Sequence, residues 1–302
     1  MVAHDPISST PPAFSIIICV YNDWAILDQC LRSVAEQTSR PSFEVIIVDD
    51  GSSQAALEFI RQWTRCYPLT IVQEPHAGIP TARNRGISAS KGSVLLFLDA
   101  DCRLRTNCLA VLRSSVADSP KHDCFQLRIT GECSTLLGRA EELRLISFQN
   151  QMLQPDGRIR YLNTAGFAIR RTKADVEAGL FDVRALRAED TLLLANLMQC
   201  GELPVFVANA TVQHAIPLSL VEGLRKDIRS AYLEGSTYGI IASKGVRIRM
   251  RNQERLSMLW SMWKASREES IGRAAWFVLV ARQTLQRIVS FGCGCLRIRP
   301  KA

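Results

Sequence analysis

The sequence predicts an α/β fold with a mostly parallel central sheet and a helical C-terminal extension. Three observations support this class. Short apolar segments alternate with segments of helical period, polar residues follow the ends of several apolar segments, and the composition becomes basic and helical after residue 217. At 302 residues the chain can bury a sizeable core, in one large domain or two modest ones.

The first hundred residues alternate between strands and helices. The predicted strands are short, continuous and rich in β-branched residues, which is typical of strands buried on both faces of a parallel sheet. They cover residues 14–20, 43–50, 69–75 and 93–101. The segments of helical spacing between them cover residues 23–38, 54–66 and 78–92. Because a helix connects each pair of strands, the strands are predicted to be parallel.

The pattern is less regular from residue 105 onwards. Helices are predicted at residues 108–118, 140–153 and 188–201, and strands at 124–130, 164–171 and 204–217. We therefore divide the chain into a disordered N-terminal tail (1–13), a main domain (14–215) and a basic helical region (216–302).

The positive charge of the chain is concentrated at its C-terminal end. The net charge is +8, yet residues 216–302 alone hold 16 Lys and Arg against 6 Asp and Glu. A basic region suggests nucleic acid or an anionic membrane surface as a partner. The region has no recognisable nucleic-acid motif and mixes its arginines with Trp, Leu, Ile and Val, so we expect the membrane and not nucleic acid.

One segment near the C-terminus is predicted to be an interfacial amphipathic helix. Phe277, Ala281, Leu285 and Ile288 share one helical stripe, and Arg282 lies on the other side. The alternative is a helical pair that packs on the main domain or on a second copy, so a homo-oligomer stays open.

The location of the protein is predicted from three absences in the sequence. The first twelve residues lack the apolar core of a signal peptide, and no uninterrupted apolar stretch reaches 18 residues. The ten cysteines show no recurring C-x2-C spacing. We expect a reduced, cytoplasmic protein, peripheral at the inner face of the membrane.

Three predicted strands end in the polar motifs CVYN, VDDGSS and LDAD. Ligands of open parallel sheets bind beyond the carboxyl ends of the strands, so these motifs are expected to converge on one site. The carboxylates of Asp99 and Asp101, two residues apart, suit Mg²⁺ or Mn²⁺. A helix cap plus a surface acid is the other interpretation, and the five apolar residues before Asp99 disfavour it.

At this point four motifs stand in order: SIIICVYN, VIIVDDGSS, PTARNRGISASKGSVLLFLDADC, and AED before an apolar helix. Together they resemble the family 2 glycosyltransferases over roughly residues 14–215. The resemblance implies the GT-A fold and the transfer of a sugar from a nucleoside-diphosphate donor with inversion at the anomeric carbon. UDP is the family's commonest carrier and is the expected nucleotide.

The resemblance also implies a donor site. Tyr21 is expected near the base, Asn22 at the cap of the following helix, and Asp50 at the base or ribose, with Asp49 capping the turn or orienting Asp50. Arg83 suits a diphosphate, although an arginine on the helix surface is the alternative. The implied donor residues are Val20, Tyr21, Asn22, Asp50, Arg83, Asn84, Asp99 and Ala100.

For the Mn²⁺ or Mg²⁺ ion, the resemblance implies Asp101 as the direct ligand. Asp99 would contact the ribose or a metal-bound water. His214 falls where related enzymes often carry a histidine near the metal, but a lone histidine at a strand end is equally often structural. The implied metal site is therefore Asp101, Asp99 and His214.

The AED motif matches the position of the family's catalytic acid. Asp190 is the expected general base, while Glu189 could serve instead or hold the acceptor. Burial beside Glu189 would raise the pKa of Asp190 towards a useful value. An acidic pair favoured by a helix dipole is the alternative. Ala165, Gly166 and Arg170 are expected to form the floor under the donor sugar and the acceptor.

Two departures from the family pattern refine the expected activity. No Q-x-x-R-W motif follows the acidic pair, which favours single-sugar over processive transfer. The helix after the pair also lacks the arginine that the family often carries there, which weakens the case for phosphate contacts from this helix. If the basic region binds membrane, the acceptor is expected to be a lipid-linked sugar or a cell-envelope glycan.

Competing classes have less support. A dehydrogenase is disfavoured because no G-x-G-x-x-G follows the first strand. An aspartyl-phosphate phosphatase would carry Thr or Val shortly after the acidic pair, where this chain has Cys102 and Arg103. A catalytically degenerate protein that binds a nucleotide sugar or a partner remains the alternative.

Overall fold

The structure, a computed structural model, describes residues 11–39, 41–53, 59–132, 134–174, 177, 179–185, 187–215, 220–248, 250–268 and 272–295. Most of the predicted tail and the start of the second predicted helix lie outside this range. The strands are β1 (Phe14–Val20), β2 (Phe43–Asp50), β3 (Leu69–Glu74), β4 (Val94–Asp99), β5 (Cys102–Leu104), β6 (Cys124–Gly131), β7 (Phe167–Arg170) and β8 (Val205–His214). The helices are α1 (Trp24–Ala35), α2 (Phe59–Trp63), α3 (Ile79–Ala89), α4 (Cys108–Asp118), α5 (Leu136–Met152), α6 (Glu189–Gln199), α7 (Leu220–Ser243), α8 (Asn252–Glu268) and α9 (Arg273–Cys295).

The eight strands form one sheet in the order β3-β2-β1-β4-β7-β6-β8-β5. Neighbours among β1 to β4 are parallel, as are β6 and β8, whereas β7 and β5 run antiparallel to their neighbours. The predicted α/β class with a mostly parallel sheet is confirmed.

The register brings the predicted strand tips together. Val20 of β1 pairs with Asp49 of β2, and Cys19 pairs with Asp99 of β4. The prediction of one strand over residues 93–101 is wrong at its end: β4 ends at Asp99, the chain turns, and Cys102 begins β5. Asp101 therefore lies in a turn rather than on a strand.

Apolar packing on both faces of the sheet fixes the helices that reach this edge. Ile16 and Ile18 of β1 face one core, and Ile17 faces the other, as expected for a strand buried on both sides. Helix α3 lies close against β1 because Gly86 has no side chain. A Cβ at this position would overlap the side chain of Ile17. This close approach places Arg83, one turn before Gly86, beside the strand ends.

The C-terminal helices pack on the main domain, as in the second of the two interpretations above. Ala140 and Leu143 of α5 share a buried cluster with Met258 and Met262 of α8 and with Ala275 and Leu279 of α9. In a second cluster, α7 packs against α6. Among the described residues no helix is both long and apolar enough to cross a bilayer.

Candidate active site

Asp50, at the end of β2, organises the loop that follows β3. Its carboxylate is buried and accepts hydrogen bonds from the backbone N–H groups of Ala77 (2.8 Å) and Gly78 (3.1 Å). Asp49 accepts a hydrogen bond from the Ser52 N–H at 2.9 Å and so caps the turn, one of the two roles predicted for it. The two acids thus shape the two loops that border the predicted donor site.

Two aromatic side chains stack on each other just after the carboxyl ends of β1 and β3. The rings of Tyr21 and His76 stack with their centroids 4.2 Å apart. His76 Nδ1 lies 2.9 Å from Asp50 Oδ2 and 3.0 Å from the Asp50 carbonyl oxygen. Because both neighbours are acceptors, Nδ1 carries the proton. His76 was not among the predicted site residues, although its position directly after the third predicted strand, at the edge where the site was expected, was a usable signal.

Asn22 does not cap the following helix, and that prediction is wrong. The cap of α1 is Asp23, which makes no capping hydrogen bond through its side chain. Asn22 has a left-handed backbone (φ 60°), and its Oδ1 accepts hydrogen bonds from the N–H and hydroxyl of Ser53, both at 2.9 Å. The side chain therefore ties the end of β1 to the loop after β2.

Arg83 is the central cation of the site. Its side chain is almost fully buried; Nη2 lies 3.0 Å from Asp99 Oδ1, and Nη1 lies 2.6 Å from Glu189 Oε1. The guanidinium carbon also lies 5.4 Å from the centre of the Phe181 ring. Arg83 thus connects the carboxyl end of β4 to the start of α6, and both of these contacts are with protein carboxylates.

Asn84 faces the protein backbone. Its Nδ2 donates to the Phe181 carbonyl oxygen at 2.8 Å, and its Oδ1 accepts from the N–H groups of Leu180 and Phe181, both at 3.0 Å. The structure therefore does not bring Asn84 to the predicted nucleotide site. It instead holds the loop that precedes the acidic pair.

The acidic pair stands at the N-terminus of α6. Ala188, which precedes it, has a left-handed backbone (φ 60°, ψ 34°) that turns the chain into the helix. Asp190 Oδ1 accepts hydrogen bonds from the N–H (2.6 Å) and hydroxyl (3.1 Å) of Thr191. Glu189 points back to Arg83. The two acids therefore have different surroundings.

These surroundings separate the pKa values of the two acids. Burial, and then the negative charge of Glu189, raise the pKa of Asp190 to about 7. Burial also acts to raise the pKa of Glu189, but the ion pair with Arg83 outweighs it and lowers that pKa. At neutral pH Glu189 is therefore ionised, whereas Asp190 is poised to accept or release a proton.

The strained backbone of Ala188 leads to a stability prediction. A left-handed backbone costs a non-glycine residue about 1–2 kcal/mol, and glycine in the unfolded chain returns about 0.5–1 kcal/mol of that. We expect Ala188→Gly to raise the free energy of unfolding by about 0.5–1 kcal/mol, measured by urea denaturation. Ala281→Gly, exposed inside α9, is the control and should lower it by about 1 kcal/mol. A similar loss in both variants would contradict the prediction.

The candidate metal site lies where β5 pairs with β8. Cys102 pairs with His214 across the two strands, and His214 Nε2 lies 3.1 Å from Asp101 Oδ2. The ligand atoms of Asp101, Cys102 and His214 all lie within 4.8 Å of one another. Asp99 is outside this cluster. One of its oxygens is paired with Arg83, but its side chain is 40 % exposed.

The chemistry of these donors fits a divalent cation. Asp101 and His214 offer a carboxylate oxygen and an imidazole nitrogen, and both side chains are partly exposed. Burial, and then the charges of Asp101 and Asp99, raise the pKa of the Cys102 thiol well above its usual value. Its Sγ donates to Asp101 Oδ1 at 3.6 Å, and sulfur is a soft ligand that suits neither Mg²⁺ nor Mn²⁺. Asp101 and His214 are therefore the residues that would hold the ion.

Only part of the predicted acceptor floor reaches the site. Ala165 and Gly166 are buried directly before β7, at the same end of the sheet as Asp99. A Cβ on Gly166 would lie 2.6 Å from the Ile129 side chain, so this floor is tightly packed. The prediction that Arg170 belongs to this floor is wrong, because Arg170 pairs with Val94 at the opposite end of β4 from Asp99. There it donates to backbone carbonyl oxygens around the end of α4.

A polar cluster on α5, absent from the predictions, lies beside the candidate metal site. Arg144 Nε donates to Glu141 Oε2 at 2.9 Å, one turn along α5. The neighbouring Glu142 accepts a hydrogen bond from the N–H of Gly131, the strand residue that pairs with His214. The i, i+3 spacing of Glu141 and Arg144 was visible in the sequence. The sequence did not show that α5 lies beside the site.

The fold and the site together define a class of protein. A mostly parallel sheet covered by helices, with acidic residues at neighbouring strand ends, is typical of the GT-A fold of nucleotide-sugar transferases. The family model described as glycosyl transferase family 2 matches residues 15–177. The chain belongs to this family.

Three similar proteins illustrate the match. Glycosyltransferase AglE of Haloferax volcanii is 39% identical over 98 residues, which is 32% of each chain. A mannosyltransferase of Pyrobaculum calidifontis, in complex with GDP-Man and Mn²⁺, matches with a TM-score of 0.64 at 16% identity, over 97% of this chain and 82% of that one. S. aureus TarS 1-349, in complex with UDP-GlcNAc, gives 0.54 at 16% identity, over 92% and 90%. The matches to the curated relatives span about a third of their lengths. The predicted family and fold are confirmed.

Proposed function

We propose that the chain is an inverting, non-processive glycosyltransferase that moves a sugar from a nucleoside-diphosphate donor to an acceptor hydroxyl. The observation that carries this proposal is the split acidic pair at the start of α6. Glu189 is ionised and forms an ion pair with Arg83. Asp190, the next residue, has its pKa raised to about 7. A general base is most effective when its pKa lies near the working pH.

Asp190 accepts the proton of the acceptor hydroxyl while that oxygen attacks the anomeric carbon. The bond from the anomeric carbon to the diphosphate oxygen breaks on the opposite face, and the nucleoside diphosphate leaves. Arg83 holds Glu189 ionised, and burial, together with the charge of Glu189, keeps the pKa of Asp190 high. The acceptor is proposed to enter from the side of α5, because this helix lies beside His214 at the edge of the sheet that holds the site.

Tyr21 and His76 are proposed to bind the nucleotide base, since their stacked rings form an exposed aromatic surface just after the carboxyl ends of β1 and β3. The exposed face of Asp99 and the Val20 and Ala100 backbone border the ribose and diphosphate. UDP is the proposed carrier. Two structural neighbours were solved with GDP-Man and with UDP-GlcNAc, so both carriers belong in the test.

Asp101 and His214 are proposed to hold a divalent cation, with Asp99 facing the donor. Such an ion supplies Lewis-acid neutralisation of the charge on the departing diphosphate. Mn²⁺ is proposed over Mg²⁺ because Mg²⁺ prefers oxygen donors alone, whereas the set here includes an imidazole nitrogen. The structurally similar mannosyltransferase of Pyrobaculum calidifontis was solved in complex with GDP-Man and Mn²⁺.

Titration calorimetry tests the donor site. UDP, GDP and dTDP are titrated into the protein with and without Mn²⁺. We expect one of them to bind in a metal-dependent manner and Asp101→Ala to lose at least about tenfold in affinity, because it removes a charged ligand. Asp118→Ala, an exposed acid at the end of α4, is the control and should bind as the unchanged chain does. Failure of all three nucleotides to bind would favour the catalytically degenerate alternative.

The acceptor is proposed to be a lipid-linked sugar or a cell-envelope glycan. Support comes from the basic C-terminal region, which packs against the same helix, α5, that borders the acceptor side. Radiolabelled donor incubated with a lipid extract and with a soluble glycan tests this choice. Transfer to the soluble glycan alone would contradict the lipid-linked form.

A further inference from the structure

Helices α8 and α9 each expose large apolar side chains on the face that points away from the protein. Leu256 and Trp260 on α8 are 68% and 69% exposed, and Phe277 and Ile288 on α9 are 60% and 64% exposed. We call these four residues the C-terminal apolar face. Within each helix their spacings, four and eleven residues, place them on one stripe.

The same two helices already have a buried face. Met258 and Met262 of α8, and Ala275 and Leu279 of α9, are packed against α5 and are almost fully buried. The C-terminal apolar face is therefore a second apolar surface, separate from the one that holds the helices on the protein. Large apolar groups grouped on a surface in this way indicate a binding partner.

Positive charge accompanies the C-terminal apolar face. Lys264 and Arg267 are exposed one and two turns after Trp260 on α8, and Arg273 is exposed one turn before Phe277 on α9. The guanidinium carbon of Arg273 lies 5.9 Å from the centre of the Trp263 ring. Apolar side chains flanked by cationic ones are typical of helices that lie in a membrane interface.

A groove beside the start of α8 adds a second basic surface. It encloses about 700 Å³ between the end of α7 and α8, with Ile241, Ile248 and Met250 among its apolar lining. Three arginines line it as well: Arg247, Arg251 and Arg255. Arg255 directly precedes Leu256 on α8, so the groove and the C-terminal apolar face share this helix. An apolar cleft with several guanidinium groups suits a lipid phosphate and the first part of an acyl chain.

We propose that the C-terminal apolar face and this groove bind the surface of an anionic membrane. Charge decides between the candidate occupants. Residues 216–302 carry 16 Lys and Arg against 6 Asp and Glu, so the same face on a second copy would bring like charges together. Anionic headgroups neutralise these charges, while the apolar side chains enter the acyl boundary. This binding does not depend on sugar transfer.

Vesicle flotation of the full chain tests the proposal. The vesicles contain either phosphatidylcholine alone or phosphatidylcholine with one third phosphatidylglycerol. We expect binding to the anionic vesicles and a loss of about tenfold or more in the double variant Trp260→Ser, Phe277→Ser, because burial of each large apolar side chain is removed. The matched control is Ile71→Ser. Ile71 is a partly exposed residue on β3, the edge strand on the opposite side of the sheet from β6 and β8, so this variant should bind the vesicles fully.

Charge and assembly distinguish the remaining outcomes. Lys264→Glu, Arg267→Glu should also weaken binding, and 0.5 M salt should weaken the unchanged chain, since screening acts on exposed charge. Equal binding to both vesicle types, or full binding by the Trp260 and Phe277 variant, would overturn the proposal. So would a dimer in sedimentation that the same variant dissociates, without vesicle binding. Circular dichroism and nucleotide binding of each variant confirm that it is folded.

Discussion

Replacing Asp190 with asparagine is expected to lower kcat by about 10²–10⁴-fold, the usual contribution of a general base, while donor binding is retained. Asparagine keeps the size of the side chain but cannot accept the proton. In the unchanged enzyme kcat should rise with pH through about 7, where Asp190 is half ionised, and level off at higher pH. Initial rates over pH 5 to 9 check this profile.

The linked stability change provides an independent measurement. The pKa of Asp190 is raised from 3.8 to about 7 in the folded chain, so between these values the folded state binds more protons than the unfolded state. The free energy of unfolding should therefore fall as the pH rises towards 7. In Asp190→Asn this loss should disappear. Glu189→Gln serves as the comparison: if it abolished transfer while Asp190→Asn remained active, Glu189 would be the base.

Replacing Arg83 with methionine is expected to destabilise the protein by about 3–5 kcal/mol, the usual cost of breaking a buried ion pair by removing one partner. Glu189 would be left buried without its cation, and Asp99 would lose its partner as well. Sugar transfer should also be lost, because both Asp99 and the start of α6 would be misplaced. Chemical denaturation at pH 7 measures the first effect.

A matched control exists two residues away on the same helix. Arg85 is 57% exposed and lies 3.4 Å from Glu74, so Arg85→Met should cost no more than about 1 kcal/mol. The loss in free energy of unfolding caused by Arg83→Met should also become smaller as the pH falls below about 4.5, the ordinary pKa of a glutamate. Protonation removes the unpaired charge and also removes the benefit that Arg83 provides in the unchanged protein. Equal losses in the two variants would contradict the role assigned to Arg83.

The parts of the site that follow a strand end could be predicted from the sequence. Continuous β-branched segments with helices between them imply parallel strands, and parallel strands place their carboxyl ends at one edge. This reasoning located Asp50 and Asp99 at strand ends, but it placed Asp101 on the same strand as Asp99, whereas the chain turns after Asp99. The Arg83–Glu189 pair could not be found in this way, because 106 residues separate its partners.

The wrong predictions have physical causes too. The sequence does not show that β7 runs antiparallel to β4, and this reversal takes Arg170 to the far end of the sheet. Asn22 looked like a helix cap, but asparagine also tolerates the left-handed backbone, and that conformation turns its side chain towards Ser53. Both errors concern direction rather than the identity of the elements.

The packing of the C-terminal helices has a consequence for how the protein unfolds. Helices α8 and α9 cover Ala140 and Leu143 of α5, and α7 covers Leu192 and Ala195 of α6. The helix that carries Asp190 is thus held in place from outside by residues beyond the family match. Loss of the last helices would expose core residues of α5, so we expect the two parts of the chain to unfold in one cooperative transition.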